Sequence, residues 1–368
     1  MSPHDDSAPH APPIGTLASG PLGTIADVPG VTVGHCTLDQ DALQTGVTVI
    51  RPHRGDPFID KVPAAASVIN GFGKSIGLVQ VDELGTLETP IALTNTFGVA
   101  AVAQAQIRSA VRANPQIGRE WSTVNPLVFE CNDGYLNDIQ ALAVTEQHFN
   151  DAFDNAGTEV ASGAVGAGRG MSCFDLKGGI GNASRAVEVA GRGYTLGALV
   201  LANFGRLPML TIDGMPLGRL LAERARMAQA SAEAATAKAT ATKPEQGSII
   251  MIVATDAPLD ARQLKRLSLR AAAGLARTGS VYGHGSGDIA LAFSTAYTVP
   301  HAADFIALPP LVADARLDPL FRACADSVEQ AIVDALWSAV SVTGRDGHRR
   351  LSLRDSVPDL AQLLKSTR

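Results

Sequence analysis

The chain has 368 residues, 46% hydrophobic and only 18% charged, enough apolar surface for a large core. A net charge of −6 excludes the basic footprint of a nucleic-acid binder, and four scattered cysteines (Cys36, Cys131, Cys173, Cys324) offer neither metal-ligand spacing nor a disulfide framework. The longest apolar runs, such as Leu196–Phe204, are too short to span a bilayer, and residues 1–20 lack both a basic start and an apolar stretch, so a soluble, cytoplasmic protein with a disordered tail over 1–20 is expected.

Strand signals open the ordered part. Ile25–Cys36 is rich in valine and threonine and broken by Pro29-Gly30, and Thr45–Arg51 alternates valine with polar residues. The apolar run Ala64–Ile69 leads into Asn70-Gly71-Phe72-Gly73-Lys74-Ser75-Ile76-Gly77. That stretch lacks the spacing of either nucleotide fingerprint and reads as tight-turn chemistry ahead of a strand-like Leu78–Val81. Ile91–Thr96 reads as a buried strand feeding an Ala/Val-rich helix over Val99–Arg112, and Leu127–Glu130 as another short strand. Asn132-Asp133-Gly134 signals a turn. Tyr135 just beyond it either packs half-buried against a helix start or points its hydroxyl into a cleft.

Gly163–Arg185 is dense in glycine, which means either close backbone packing or a wall of backbone N–H groups facing a ligand. Tyr194–Asn203 is an apolar strand that ends on an asparagine, a costly residue to bury unless its amide is used, by a turn or by a ligand oxygen. A helical pattern from Gly218 decays into alanine and threonine by about Thr240, a connection where cutting would cost little structure.

At Gly247 the polar sequence ends, and Ser248 heads the apolar run Ile249-Ile250-Met251-Ile252-Val253. A serine there is either an ordinary edge residue or a nucleophile that becomes a chain terminus when the preceding bond is cut. Gly247 lacks a Cβ, so the peptide before the serine can take a strained geometry that exposes its carbonyl. A freed α-amine on Ser248 would have a pKa of about 7.7–8.0, suited to a general base near neutrality.

Beyond a turn at Ala257-Pro258, a helix over Asp260–Thr278 carries Leu264, Leu267, Ala271 and Leu275 on one stripe. Glycines then surround Ser286 in Tyr282-Gly283-His284-Gly285-Ser286-Gly287-Asp288, and Asp288 opens the strand Ile289–Ser294. Ser-x-Asp also occurs in plain turns, and His284 reads as a turn residue. Ala323–Val342 is an amphipathic helix, and the chain end reads as ordinary surface.

Several separated blocks occur together in one order. They are the turn at Asn70, Leu93-Thr94-Asn95-Thr96, Asn132 to Asp138, Gly166-Ala167-Gly168 with Lys177-Gly178-Gly179-Ile180-Gly181, Asn203-Phe204-Gly205, Gly247-Ser248 and Gly285-Ser286-Gly287-Asp288. In these the chain, from about Gly20 to Gly347, resembles the family of self-cleaving N-terminal-serine aminopeptidases that includes DmpA and the β-peptidyl aminopeptidases.

The resemblance implies a four-layer α/β/β/α sandwich of the DmpA/ornithine acetyltransferase-like type, similar in layers to N-terminal-nucleophile hydrolases. It implies one catalytic domain over 21–368, cut between Gly247 and Ser248 into an α chain 1–247 and a β chain 248–368, and assembly as a homotetramer of αβ units. Ser248 would be the nucleophile and its new amine the base, with Ser286 and Asp288 beside it. Tyr135 and Asn203 would lie in the active site, Asn203 as an oxyanion donor. The substrates implied are small peptides, amino-acid amides or esters, with no cofactor, metal, nucleic acid or membrane partner.

Glu130 and Asp133 are candidates for binding the substrate's free amine. Two competing readings are an acyltransferase of the ornithine acetyltransferase type, which uses a threonine at the cleavage point, and a non-catalytic homologue, which would lose Ser248, Ser286 or Asn203.

Overall fold

A computed structural model describes residues 11–232, 246–360 and 363. Its main strands are β1 (Thr32–Gln40), β2 (Leu43–Arg51), β3 (Asp60–Gly71), β4 (Ile91–Asn95) and β5 (Leu127–Cys131), followed by β6 (Gly179–Val189), β7 (Arg192–Asn203), β8 (Gln246–Thr255) and β9 (Gly285–Ser294). The main helices are α1 (Leu78–Leu84), α2 (Val99–Ala113), α3 (Glu146–Asp154), α4 (Leu217–Ala232), α5 (Ala261–Arg277) and α6 (Asp318–Trp337).

Two sheets form. The smaller has the order β1-β2-β4-β5, and the larger runs from the short strand Val299–Pro300 through β3-β9-β8-β7 to β6. The sheets are pressed together by apolar residues from both, among them Ile50, Leu93 and Phe129 on one side and Leu199, Ile250, Ile252 and Leu291 on the other. The outer face of the smaller sheet is covered by α2 and α3 through Val102, Ala105, Phe149 and Ala152. The outer face of the larger is covered by α5 and α6 through Leu264, Leu267, Val328 and Ile332. Helix, sheet, sheet and helix therefore stack as the four-layer α/β/β/α sandwich that the sequence resemblance implies.

β8 is the central strand of this arrangement, and its sequence explains why. Between β7 and β9, with cores on both sides, every residue of Ile249-Ile250-Met251-Ile252-Val253-Ala254 is buried, so the run is continuously apolar instead of alternating. Ile250, Ile252 and Ala254 face the smaller sheet, while Ile249, Met251 and Val253 face the helices. β8 pairs antiparallel with β7 and parallel with β9, so its two neighbours approach from chain segments some forty residues away on either side. α5 docks by the leucine stripe read in its sequence, and Asp260 caps it by accepting the Gln263 N–H at 2.7 Å while the Gln263 side chain returns to the Asp260 N–H.

Several expectations need correction. Leu78–Val81 belongs to α1, not to a strand; the helix is bracketed by Gly77 and Gly85, both with positive φ (93° and 67°). The tail is placed from Ala11 onward: the Ile14 N–H donates to Gln330 Oε1 of α6 at 2.8 Å, and Arg322 of the same helix donates to Thr16 Oγ1 at 2.6 Å. Residues 1–10 lie outside the described part, as do 233–245, which include the decaying connection before Gly247. Among the described residues no helix is long and apolar enough to cross a membrane.

Candidate active site

Ser248 is the third residue of β8, paired with Asn203 at the end of β7 and with Gly287 near the start of β9. Strand alternation puts its side chain on the same face as Ile250 and Ile252, between the two sheets. There the core gives way to a cavity of about 800 Å³, lined by Glu130, Asn132, Tyr135, Asn203, Gly247 and Ser248 with Phe72, Lys74 and His284. Ser248 retains 6% exposure, and its Oγ accepts the Gly287 N–H at 3.1 Å.

Gly247 is glycine for a reason other than strain. It is absent from the residues with positive φ, but a Cβ on it would run into the Asn203 carbonyl oxygen. The missing side chain gives room for β7 to close on the backbone just before the serine.

The Asn203 amide is fixed at both ends. Its Oδ1 accepts the Ser172 N–H at 2.8 Å, and its Nδ2 donates to the Asn132 carbonyl at 2.9 Å. Turning the amide over would set N–H against N–H and oxygen against carbonyl, so the orientation is determined and the NH₂ is turned toward Asn132, which also lines the cavity. One of its two hydrogens is used by Asn132.

Glu130, at the cavity floor, is held by two donors, the Lys74 N–H at 2.8 Å to Oε1 and the Thr96 hydroxyl to Oε2. Tyr135 forms part of the rim. Its ring stacks on His348 with centroids 4.7 Å apart, and the Arg350 guanidinium lies 3.8 Å from the ring centroid. Arg345 donates to the Gly134 carbonyl at 2.7 Å. The chain end read as ordinary surface thus carries the groups that grip this turn.

Ser286 and Asp288 do not line the cavity. Along β9, Ile289 and Leu291 face the smaller sheet, while Ala290 and Ala292 face the helices. Ser286 and Asp288 share the latter parity and point to the helix side, where the Ser286 hydroxyl donates to Asp288 Oδ1 at 2.5 Å. β3 is bulged opposite them, since Asp288 pairs with Asn70 but Ile289 with Val68, and the Asn70 side-chain amide donates to the Gly283 carbonyl at 3.1 Å and to that of Ser286.

Asp133 also lies apart from the cavity. It is buried, accepts from Asn137 Nδ2 at 3.0 Å, and has Thr45 and Asn95 turned toward it. Burial pushes its carboxyl up to about 7 against these hydrogen bonds. Its position makes it a support for the Asn132–Asn137 turn, and Glu130 alone of the two acidic candidates reaches the cavity.

Sequence reading passed over three features: the Gly287 N–H on the Ser248 hydroxyl, the place of His284 in the cavity wall, and Lys177. Lys177 is fully buried and donates to the carbonyls of Gly168, Met171 and Gly178 at 2.8–2.9 Å. Burial pushes its ammonium well below the ordinary lysine range. The one available signal was a lysine inside a run of glycines.

Two sheets packed face to face between helical layers place the chain in the class of Ntn-hydrolase-type folds. Residues 23–350 match the pattern of peptidase family S58, and the chain belongs to that family. It is 37% identical, over 92% of its length and 88% of the relative's, to the β-peptidyl aminopeptidase BapA of Sphingosinicella microcystinivorans. Among solved structures it is similar to a protein of Pyrococcus horikoshii OT3, with 44% identity, a TM-score of 0.87 and coverage of 96% and 97% of the two chains. It is also similar to the L-aminopeptidase D-Ala-esterase/amidase of Ochrobactrum anthropi, a serine aminopeptidase with a variant of the Ntn hydrolase fold. That match has 34% identity, a TM-score of 0.83 and coverage of 96% and 98%.

The Asp133 geometry generates a pH test. An unfolded aspartate ionises near 3.9, so between about pH 4 and 7 the native state binds the extra proton and stability falls as pH rises. Asp133→Asn keeps an acceptor for Asn137 and cannot ionise. Its melting temperature should decline less than that of the wild type from pH 4.5 to 7.5; parallel curves would show that Asp133 titrates as an ordinary surface acid.

Proposed function

We propose that the chain is a self-processing serine aminopeptidase that releases N-terminal residues from small peptides, amides or esters. The observation that carries this reading is Ser248 itself. It heads a buried strand, and its hydroxyl opens into a cavity that also holds one carboxylate, Glu130, and one oriented amide donor, Asn203. Membership of a peptidase family and similarity to aminopeptidases support the same reading.

In maturation the Ser248 Oγ attacks the Gly247 carbonyl, the Gly247–Ser248 C–N bond breaks, and the acyl group passes to oxygen as an ester. Water then cleaves the ester, leaving a carboxylate on Gly247 and a free amine on Ser248. That amine is the base of the mature enzyme. It takes the hydroxyl proton as Oγ attacks the substrate carbonyl, and returns a proton to the departing amine. Water then attacks the acyl-enzyme carbonyl, giving a proton to the amine; the amine passes a proton to Oγ as the C–Oγ bond breaks, and the product leaves as a carboxylic acid. Glu130, whose oxygens keep further lone pairs beyond those used by Lys74 and Thr96, pairs with the substrate ammonium.

Ser286 and Asp288 act on the amine, not on the hydroxyl. A backbone nitrogen lies in the plane of the sheet and can be approached from the helix side, where this pair sits, whereas Oγ projects from the opposite face. The proposal therefore gives the two groups of Ser248 separate surroundings.

Self-cleavage is checked by mass spectrometry. Purified protein should yield fragments 1–247 and 248–368 that co-elute at a native mass of several αβ units, and Ser248→Ala should remain one chain. A wild type that stays intact on long incubation would remove the amine, and with it the mechanism.

Asn203→Ala should lower kcat by roughly 10²-fold or more if the amide holds the tetrahedral oxyanion. Circular dichroism should show the fold retained. Unchanged turnover would leave Asn203 only its contacts to Ser172 and Asn132.

Asp288→Asn should move the acidic limb of the pH–rate profile. A carboxylate near an amine favours its protonated form and raises its pKa; removing the charge lowers that pKa, and activity requires the neutral amine. The limb should shift to lower pH along with a change in maximal rate. A limb that stays in place would show that Asp288 has no electrostatic hold on the base.

A further inference from the structure

A second recess of about 600 Å³ opens beside the cavity at Ser248. Its own walls are apolar, from Ile76, Phe97, Val99, Ala100 and Leu142, and it shares Lys74 and Thr96 with the first cavity. Those two shared residues are also the two that hold the Glu130 carboxylate. Glu130 thus stands at the boundary between the spaces. Phe97 and Leu142 are 53% and 63% exposed, an apolar surface uncovered next to a polar site.

We infer that this recess receives the side chain of the substrate's first residue, and that the preferred substrates carry an apolar residue there. The inference rests on the reading of Glu130 and Ser248 given above. A substrate whose ammonium is at Glu130 and whose carbonyl is at Ser248 has only one or two carbon atoms between those points. The side chain branches from that short link, beside the boundary, and the adjoining apolar space is the one it meets. The leaving group then takes the part of the first cavity near Tyr135 and Ile139. The Lys74 ammonium, 4.2 Å from the Phe72 ring centroid and on the shared border, repels a lysine or arginine side chain.

The test compares alanyl- and leucyl-p-nitroanilide with the wild type, Ala100→Trp and Leu142→Asn. Ala100 is exposed in the first turn of α2, so tryptophan there fills the recess without entering the core. Leu142 has φ 49°, a region asparagine tolerates, so Leu142→Asn removes apolar wall without new backbone strain. The wild type should favour the leucyl substrate by about tenfold in kcat/KM, mostly through KM, and both variants should bring the ratio toward unity while alanyl turnover stays within about twofold.

Equal wild-type rates on both substrates, or variants that lower both rates alike, would overturn the assignment. So would variants that lose assembled mass on gel filtration with both rates intact, which would make the recess an interface between copies. Turnover of neither substrate by the wild type would instead sink the aminopeptidase reading, and the subsite with it.

Discussion

The site depends on one ladder of backbone pairing, Asn203 to Ser248 to Gly287. Ser248 is the proposed nucleophile, and a nucleophile carried by a loop would need side-chain contacts to hold it still. Here main-chain hydrogen bonds on both edges of β8, with packed cores on both faces, fix its backbone before any side chain contributes. Two glycines make the ladder tight. Gly247 lets the Asn203 carbonyl approach, and Gly287 places its N–H on the serine hydroxyl.

That pairing divides the groups of the proposed mechanism between two environments. The hydroxyl opens between the sheets with Glu130 and Asn203, and the Ser286–Asp288 pair lies on the helix side of the same sheet. A catalytic histidine would have to sit on the same face as the hydroxyl it activates. A terminal amine is free of that requirement, since it belongs to the nucleophile's own residue and lies in the sheet plane, within reach of either face. On the proposed mechanism, this is what allows the activating groups to be packed away from substrate.

Much of this was legible in the sequence where one physical pattern dominates. The abrupt change at Ser248 marks the central strand, because only a strand buried on both faces can be apolar at every position. The leucine stripe of α5 and its Asp260 start signal were equally plain. Leu78–Val81 was misread because a short run with two valines has no period long enough to separate strand from helix, and what decided it was the pair of left-handed glycines at its ends. The face on which Ser286 points was invisible, since it depends on the register between β8 and β9. The hold of His348 and Arg350 on Tyr135 joins residues more than two hundred positions apart, and no local pattern announces it.

Lys177 shows how a residue outside the cavity bears on its chemistry. A buried ammonium is costly, and among the described residues this one donates to no carboxylate; its three hydrogens go to three carbonyls of the glycine-rich segment. One of those carbonyls belongs to Met171, and the next residue, Ser172, gives its N–H to Asn203 Oδ1. The lysine therefore holds the backbone that sets which way the asparagine amide faces. A planar guanidinium would not offer three hydrogens from one small centre to carbonyls that converge on it. The dense glycines of this segment let the carbonyls converge, the lysine ties them together, and the Asn203 amide is held with its oxygen on Ser172 and its NH₂ on Asn132 as a consequence.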